Sequence, residues 1–192
     1  MSNKTFTADW FTGNSSNWST LLGHLAGLSN LKCLEIGSFE GRSACWLAEN
    51  IVTHQTSRLY CVDPFTGSVE HQGGPWELNS LYDRFLSNVK DYGNRIIPIK
   101  SYSNLALKDP AIISQTFDFI YIDGAHDAMN VLRDSVLAFD LLKANGIMIF
   151  DDYLWGQFGI NTPRMGIDAF LSCYEGKYKL LHKDYQVAIQ KL

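Results

Sequence analysis

The chain has 192 residues, of which 46% are hydrophobic and 19% charged, with a formal net charge of −4. This length and apolar content predict one globular domain, residues 1–192, and argue against a disordered chain. The basic residues form no cluster, so nucleic-acid binding is not expected. No stretch resembles a signal peptide or a membrane span, and the four cysteines form no Cys-x-x-Cys pair. We therefore expect a cytoplasmic protein with reduced core thiols and no membrane partner.

The first secondary-structure elements follow a leading segment, residues 1–30, which we expect to form a helical cap region. Short apolar runs rich in β-branched and aromatic residues then recur along the chain and predict strands. Their apolarity is continuous rather than alternating, which is typical of strands buried on both faces of a parallel sheet. The predicted strands are residues 31–36, 58–62, 95–99, 117–122 and 146–150.

Helical patterns separate these strands. Apolar residues at helical spacing predict helices over residues 78–89 and 128–139, and Thr162-Pro163 is typical of the start of a third. Two final runs, residues 178–181 and 185–192, lie so close together that they must pair antiparallel. The order predicts an α/β fold with a doubly wound, mostly parallel seven-stranded sheet and an antiparallel C-terminal hairpin.

A glycine loop follows the first predicted strand. Glu35, Gly37 and Gly41 form an E-x-G-x-x-x-G pattern, and Phe39 stands where a dinucleotide-binding loop needs its second glycine. This disfavours NAD or FAD, although a purely structural turn is an equal alternative. Asp63 ends the second strand, where a carboxylate can accept the hydroxyls of a ribose; the alternative is a solvated strand-end acid.

Acidic residues also end the fourth and fifth strands. Asp123 follows the fourth strand, and Asp151 and Asp152 follow the fifth. Three converging carboxylates would repel one another unless protonated or neutralised by a hard cation such as Mg²⁺ or Mn²⁺. His126 opens the next helix and could act as a general base near pH 7. The alternatives are that Asp151 only caps a turn and that His126 only caps the helix.

These segments resemble class I S-adenosylmethionine-dependent methyltransferases, and specifically the branch of metal-dependent sugar O-methyltransferases. The motifs that carry the resemblance are, in chain order, CLEIGSFEGRS, YCVDPF, IIPIKSYSNL, FDFIYIDGAHD and GIMIFDDY. The resemblance implies the Rossmann-like methyltransferase fold and assigns roles to particular residues. Cofactor contacts fall on Glu35, Gly37, Gly41, Ser43, Asp63, Phe65, Tyr102, Ser103 and Asp123. The metal ligands fall on Asp123, Asp151 and Asp152, and catalysis falls on His126 and Asp123.

The expected reaction is methyl transfer from S-adenosylmethionine to a hydroxyl, most simply that of a sugar or glycan, with a divalent metal. Ser101 and Ala128 depart from the family pattern where a glycine and an aromatic residue are common. We expect the acceptor beside Trp18, the loop 66–76 and residues 153–158, and the segment 66–75 is a candidate lid. The alternatives are a catechol-like acceptor, a nucleotide-dependent oxidoreductase and a noncatalytic nucleoside-binding domain.

Overall fold

The computed structural model describes residues 4–68, 71, 74–156 and 159–192. The strands are β1 (Lys32–Ile36), β2 (Arg58–Asp63), β3 (Ile96–Lys100), β4 (Phe117–Ile122), β5 (Leu142–Phe150), β6 (Tyr178–Lys183) and β7 (Val187–Lys191). They form one sheet in the order β3-β2-β1-β4-β5-β7-β6, in which the first five strands are parallel and β7 pairs antiparallel with both β5 and β6. This confirms the predicted fold class.

Helices cover both faces of the sheet. Among the described residues, no helix is long and apolar enough to cross a membrane. The α-helices are α1 (Ser15–Leu22), α2 (Arg42–Asn50), α3 (Leu81–Val89), α4 (Ser103–Ala106), α5 (Pro110–Ile113), α6 (Ala128–Leu141) and α7 (Pro163–Cys173).

The β4 strand shows how the sheet divides the core. Phe119 and Tyr121 are buried in an apolar cluster on one side of the sheet, while Ile120 and Ile122 belong to the cluster on the other side. Successive side chains of a strand point to opposite faces, so the apolar run from Phe119 to Ile122 fills two cores at once. Only Cys173 departs from the predicted core thiols, because it lies exposed at the end of α7.

The predicted start of the fifth strand differs from the structure by four residues. The fifth strand was expected to begin at Gly146, but β5 already begins at Leu142, directly after α6. Asn145 has a φ of 63° and the pairing with β4 shifts register between Phe117 and Phe119. An Asn-Gly pair is typical of a helix stop, but here it bends a strand that is already paired.

The site follows from this topology. The chain runs outward in opposite directions from β1 and β4, which are neighbours in the sheet. Ligands of open α/β sheets bind in the crevice at such a switch point, beyond the carboxyl ends of the strands. The carboxyl ends of β1, β2, β4 and β5 all carry residues that were predicted to be functional.

Candidate active site

A cleft of about 1300 Å³ opens beyond the carboxyl ends of the central strands. Ligand pockets typically measure roughly 300–1,000 Å³, so this cleft has room for a cofactor and a second molecule. Predicted site residues on its wall are Gly37, Ser43, Asp63, Tyr102, Ser103, Asp123, His126, Asp151 and Asp152. Glu35, Gly41 and Phe65 lie behind this wall instead.

Gly37 marks a close approach of two chain segments. Its φ is +87°, and a Cβ at this position would lie 1.9 Å from the carbonyl oxygen of Asp123. Glycine is therefore required both by its backbone conformation and by the packing of the β1 loop against the end of β4. Gly41 has a φ of +81° and is the N-cap of α2, where a Cβ would meet the ring of Phe85 at 2.9 Å.

Glu35 lies fully buried beneath this loop. Its carboxylate accepts hydrogen bonds from the hydroxyls of Ser38 at 2.6 Å and Ser43 at 2.5 Å. Burial raises the pKa of Glu35 to about 7, although these hydroxyl donors lower it in part. Glu35 therefore supports the loop from below, while Ser43 reaches the cleft itself.

We expect Glu35→Gln to change how stability depends on pH. The pKa of Glu35 rises from 4.5 to about 7 on folding, so the native state favours the protonated acid. The free energy of unfolding should therefore fall as pH rises through this interval, by at most about 3 kcal/mol. Gln mimics the neutral acid, so denaturant titrations at pH 5 and pH 8 should show the variant gaining stability relative to wild type. Glu175→Gln, at an exposed position, is the control; equal pH dependence in all three proteins would contradict the prediction.

Asp63 joins the glycine loop to the end of β2. Its Oδ2 accepts the backbone N–H groups of Ser38 at 2.8 Å and Phe39 at 2.9 Å, and its Oδ1 accepts that of Phe65 at 2.5 Å. Burial raises the pKa of Asp63, and these three donors oppose the rise. A carboxylate oxygen has two lone pairs, so Oδ1 retains one for a ligand in the cleft.

The side chain of Phe65, one of the predicted cofactor contacts, does not reach the cleft. The Phe65 ring is 4% exposed and packs between Tyr82 and Phe85, with ring centroids 4.7 and 4.9 Å away. Its φ of 56° turns the side chain into the core rather than into the cleft. Tyr102 is exposed on the cleft wall, and the Ser103 hydroxyl donates to the buried Asp134 at 2.8 Å.

The carboxyl ends of β4 and β5 bring acidic groups together with His126. The Nε2 atom of His126 lies 2.9 Å from Oδ2 of Asp152 and 3.8 Å from Oδ1 of Asp123. These three side chains offer ligand atoms within 4.8 Å of one another, a separation that suits one metal ion; the group contains His126 in place of the predicted ligand Asp151. The N-cap of α6 is Asp127, which accepts the Asn130 N–H, so His126 is not the capping residue.

Burial and mutual repulsion raise the pKa values of the acids in this cluster. Burial and the charge of Asp151 hold the pKa of Asp123 well above its usual range, and burial and the Asp152 charge raise the pKa of Asp151 to about 6. Burial lowers the pKa of His126, but hydrogen bonds and charges of Asp123 and Asp152 outweigh this and raise it to about 11. These contacts favour the protonated form of the imidazole, whereas the general base expected from the sequence must be neutral.

Sequence reasoning missed the groups that hold Asp151. Its Oδ2 accepts hydrogen bonds from the Tyr121 hydroxyl and from Nε2 of Gln186, the latter at 3.0 Å. Tyr121 had been counted only as a strand residue, and Gln186 as part of the terminal hairpin. Gln186 could have been identified from the antiparallel pairing of Phe150 with Val187, because this register places Gln186 opposite Asp151.

The expected acceptor position is corrected in one respect. Trp18 is fully buried against Phe119 and Tyr121 and does not reach the cleft. The cleft is lined near His126 by Trp155 instead, with ring centroids 5.1 Å apart. Of the loops expected to contact the acceptor, residues 69, 70, 72, 73, 157 and 158 lie outside the described residues.

The N-terminal segment forms a further wall that the sequence had not indicated. The Thr7 N–H and hydroxyl donate to Glu40, and the Arg42 guanidinium binds both oxygens of Asp9. The Trp10 ring then contacts the Phe39 ring at a centroid distance of 5.3 Å. These contacts place the segment across the mouth of the cleft.

A family model described as "Methyltransferase domain" matches residues 34–153, which is more than half of the chain and includes every predicted cofactor, metal and catalytic residue. The chain belongs to this methyltransferase family. The match confirms the resemblance to class I methyltransferases that the glycine loop and the strand-end acids had indicated. It also places the cleft, whose walls come mostly from the matched region, in an enzyme.

Individual proteins are also similar to the chain. An uncharacterized protein of Acanthamoeba polyphaga mimivirus is 27% identical over 126 residues, 65% of this chain and 52% of that protein. The chain thus spans about half the length of this relative. The O-methyltransferase from Bacillus cereus, solved with SAH, superposes with a TM-score of 0.69 over 97% of this chain and 84% of its own, at 20% identity. MycE, a methyltransferase of the mycinamycin pathway, was solved with Mg, SAH and mycinamycin VI. It superposes with a TM-score of 0.64 over 98% of this chain and 51% of its own, at 16% identity.

Proposed function

We propose that this methyltransferase transfers a methyl group from S-adenosylmethionine to a hydroxyl oxygen of a sugar or glycan, with the help of a divalent cation. One observation carries the proposal: His126, Asp123 and Asp152 converge in the same cleft as the Gly37 loop and Asp63. The predicted cofactor-binding and acid–base groups therefore share one cavity. The B. cereus relative was solved with SAH, which is the product that this reaction would leave.

The glycine loop and Asp63 would hold the cofactor. The ribose hydroxyls would lie at Oδ1 of Asp63, which keeps a free lone pair, and the methionine part would lie over Gly37 beside Ser43. Tyr102 and Ser103 would face the adenine. The methyl group is already activated by its positive sulfur, so the protein has to align the hydroxyl for in-line attack and accept its proton.

The acidic cluster fits a divalent cation. Asp123, Asp151 and Asp152 have no Lys or Arg partner among the ion pairs of the described residues, and only His126 offsets their charge. Oxygen-rich sites of this kind suit Mg²⁺ or Mn²⁺. When bound, such an ion would lower the pKa of the acceptor hydroxyl and neutralise the carboxylates that hold the pKa of His126 high. A neutral His126 could then accept the hydroxyl proton.

The surroundings of His126 suit a sugar. Trp155 is 40% exposed and its ring lies beside that of His126, while Asn161 and Tyr185 add polar groups to the same wall. An aromatic face with amide and hydroxyl groups around it can bind both the apolar face and the hydroxyls of a sugar. MycE, the structural neighbour solved with Mg, was solved with mycinamycin VI in the same crystal.

We expect turnover to require the cation. Purified protein would be incubated with S-adenosylmethionine carrying a labelled methyl group and a panel of sugars, alkyl glycosides and catechol, with Mg²⁺ or Mn²⁺. Labelled methyl should appear on a glycoside, excess EDTA should abolish transfer, and added cation should restore it. Full activity in EDTA would contradict the cation, and methylation of catechol alone would contradict the sugar. SAH binding without turnover on any acceptor would favour a noncatalytic domain.

A further inference from the structure

A chain of hydrogen bonds runs from the buried core to the acidic cluster. The Trp18 indole Nε1 donates to Oε1 of Gln186 at 2.8 Å, and Nε2 of Gln186 donates to Oδ2 of Asp151 at 3.0 Å. Trp18 and Gln186 are 0% and 2% exposed. Because indole is only a donor, it fixes the orientation of the Gln186 amide, with its oxygen toward Trp18 and its NH₂ group toward Asp151.

Tyr121 completes the contacts of Asp151. Its hydroxyl donates to Oδ2 of Asp151 and lies 3.0 Å from Oδ2 of Asp123. Its ring is held by Trp18, which packs edge-on with a centroid distance of 4.7 Å. The same buried indole therefore orients both donors to Asp151.

The distribution of these hydrogen bonds decides which carboxylate oxygen of Asp151 can still accept a ligand. Oδ2 accepts two hydrogen bonds, from Tyr121 and Gln186, which occupy both of its lone pairs. Oδ1 accepts only the N–H of Asp152, at 2.7 Å, and keeps one lone pair. Partners of this kind commonly orient metal-ligating carboxylates in proteins.

We propose that Gln186, oriented by Trp18, acts with Tyr121 as a positioning residue that fixes Asp151 with Oδ1 open to a divalent cation. The inference rests on the cation-dependent function proposed above. It also gives α1 and the C-terminal hairpin a role, because their side chains set the geometry of a site whose ligands come from β4 and β5. The family match ends at residue 153, so Gln186 lies outside the matched region.

Mn²⁺ binding tests the proposal without an assay of turnover. The probe is Mn²⁺ itself, titrated into the full chain and followed by the electron paramagnetic resonance signal of the free ion. Gln186→Met keeps the length of the side chain and removes both hydrogen bonds. Loss of an outer-shell partner typically weakens metal binding 10- to 100-fold, and we expect a weakening in this range. SAH affinity, measured by calorimetry, should change less than about twofold. The side-chain hydrogen bonds of Gln186 go to Trp18 and Asp151, and neither of these is a predicted cofactor contact.

Matched variants make the result decisive. Gln190→Met alters a glutamine of β7, the strand that follows Gln186, where the side chain donates to the Asn145 carbonyl. This variant should bind Mn²⁺ as wild type does. Gln186→Met with wild-type Mn²⁺ affinity would overturn the positioning role alone. A wild type that binds SAH but no Mn²⁺ would overturn the proposed cation and this inference with it. If Gln186→Met also loses SAH binding, Mn²⁺ is titrated into Tyr121→Phe instead, which removes the other side-chain donor to Asp151. Wild-type Mn²⁺ affinity in Tyr121→Phe would then overturn the proposal.

Discussion

Replacing His126 with Ala should lower kcat by about 10²–10⁴-fold while leaving the affinity for SAH nearly unchanged. The range is the usual contribution of a general base. Nε2 of His126 lies 2.9 Å from Asp152 and faces the cleft at the carboxyl end of β4, where an acceptor hydroxyl would be activated. Steady-state rates with saturating cofactor and calorimetry with SAH would together measure the two effects.

Two further variants separate catalysis from structure. His126→Gln retains a hydrogen-bond donor toward Asp152 but cannot accept the proton as imidazole does, so its kcat should fall as far as that of His126→Ala. If His126→Gln keeps near-normal kcat, the side chain only orients the acids and the proton leaves by another route. His24→Ala, at an exposed histidine, should be indistinguishable from wild type in both measurements.

Replacing Gly37 with Ala should destabilise the protein by more than about 4 kcal/mol, the range that marks a severe steric or polar fault. The new Cβ would lie 1.9 Å from the Asp123 carbonyl oxygen and 2.7 Å from the Gly124 Cα. Both are backbone atoms at the carboxyl end of β4, so neither can move without distorting the central sheet. Denaturant unfolding followed by circular dichroism would measure the loss.

Gly176→Ala serves as the control for backbone conformation. Its φ of +78° resembles that of Gly37, but no heavy atom lies within 4 Å of the position that a Cβ would take. It should therefore show only the cost of the left-handed conformation, about 1–2 kcal/mol. Equal losses at both positions would mean that φ alone explains the need for Gly37, and that the close approach to Asp123 does not.

The sheet was predictable because its strands are short, apolar on both faces and separated by helical patterns. The hairpin followed from two strands too close in sequence to pair in parallel. The early start of β5 was not predictable, because Asn145-Gly146 has the same composition whether it stops a helix or bends a strand. Strand pairing with β4, a nonlocal interaction, decided between the two.

The site was predictable where the topology alone places a residue. Asp63, Asp123 and Asp152 end strands whose carboxyl ends must share one edge of the sheet, and the cleft brings them together. The direction of a side chain at a turn was not predictable from the topology, because it depends on the local φ and ψ. For this reason Phe65 points into the core although it follows Asp63 by only two residues.

Contacts between residues distant in the chain were beyond sequence reasoning. Gln186 and Trp18 meet across 168 positions, and neither belongs to a recognisable motif. Similarly, the pKa of His126 could not be anticipated from its usual value, since it depends on two carboxylates contributed by separate strand ends. The first feature becomes visible only when the register of β5 against β7 is known, and the second only when the carboxyl ends of β4 and β5 are known to be neighbours.

SAH binding by the wild-type chain and by Asp63→Ala tests the central claim, that this cleft holds S-adenosylmethionine, most directly. The predicted ribose contacts at Asp63 are charge-assisted hydrogen bonds worth about 1.5–3 kcal/mol each, so calorimetry should show at least tenfold weaker binding in the variant. Because Ala also leaves the N–H groups of Ser38, Phe39 and Phe65 without their acceptor, circular dichroism would first establish that the variant is folded. Wild-type binding with a clear loss in Asp63→Ala is the predicted result. No binding of SAH by the wild type, or equal affinity in both proteins, would contradict the account.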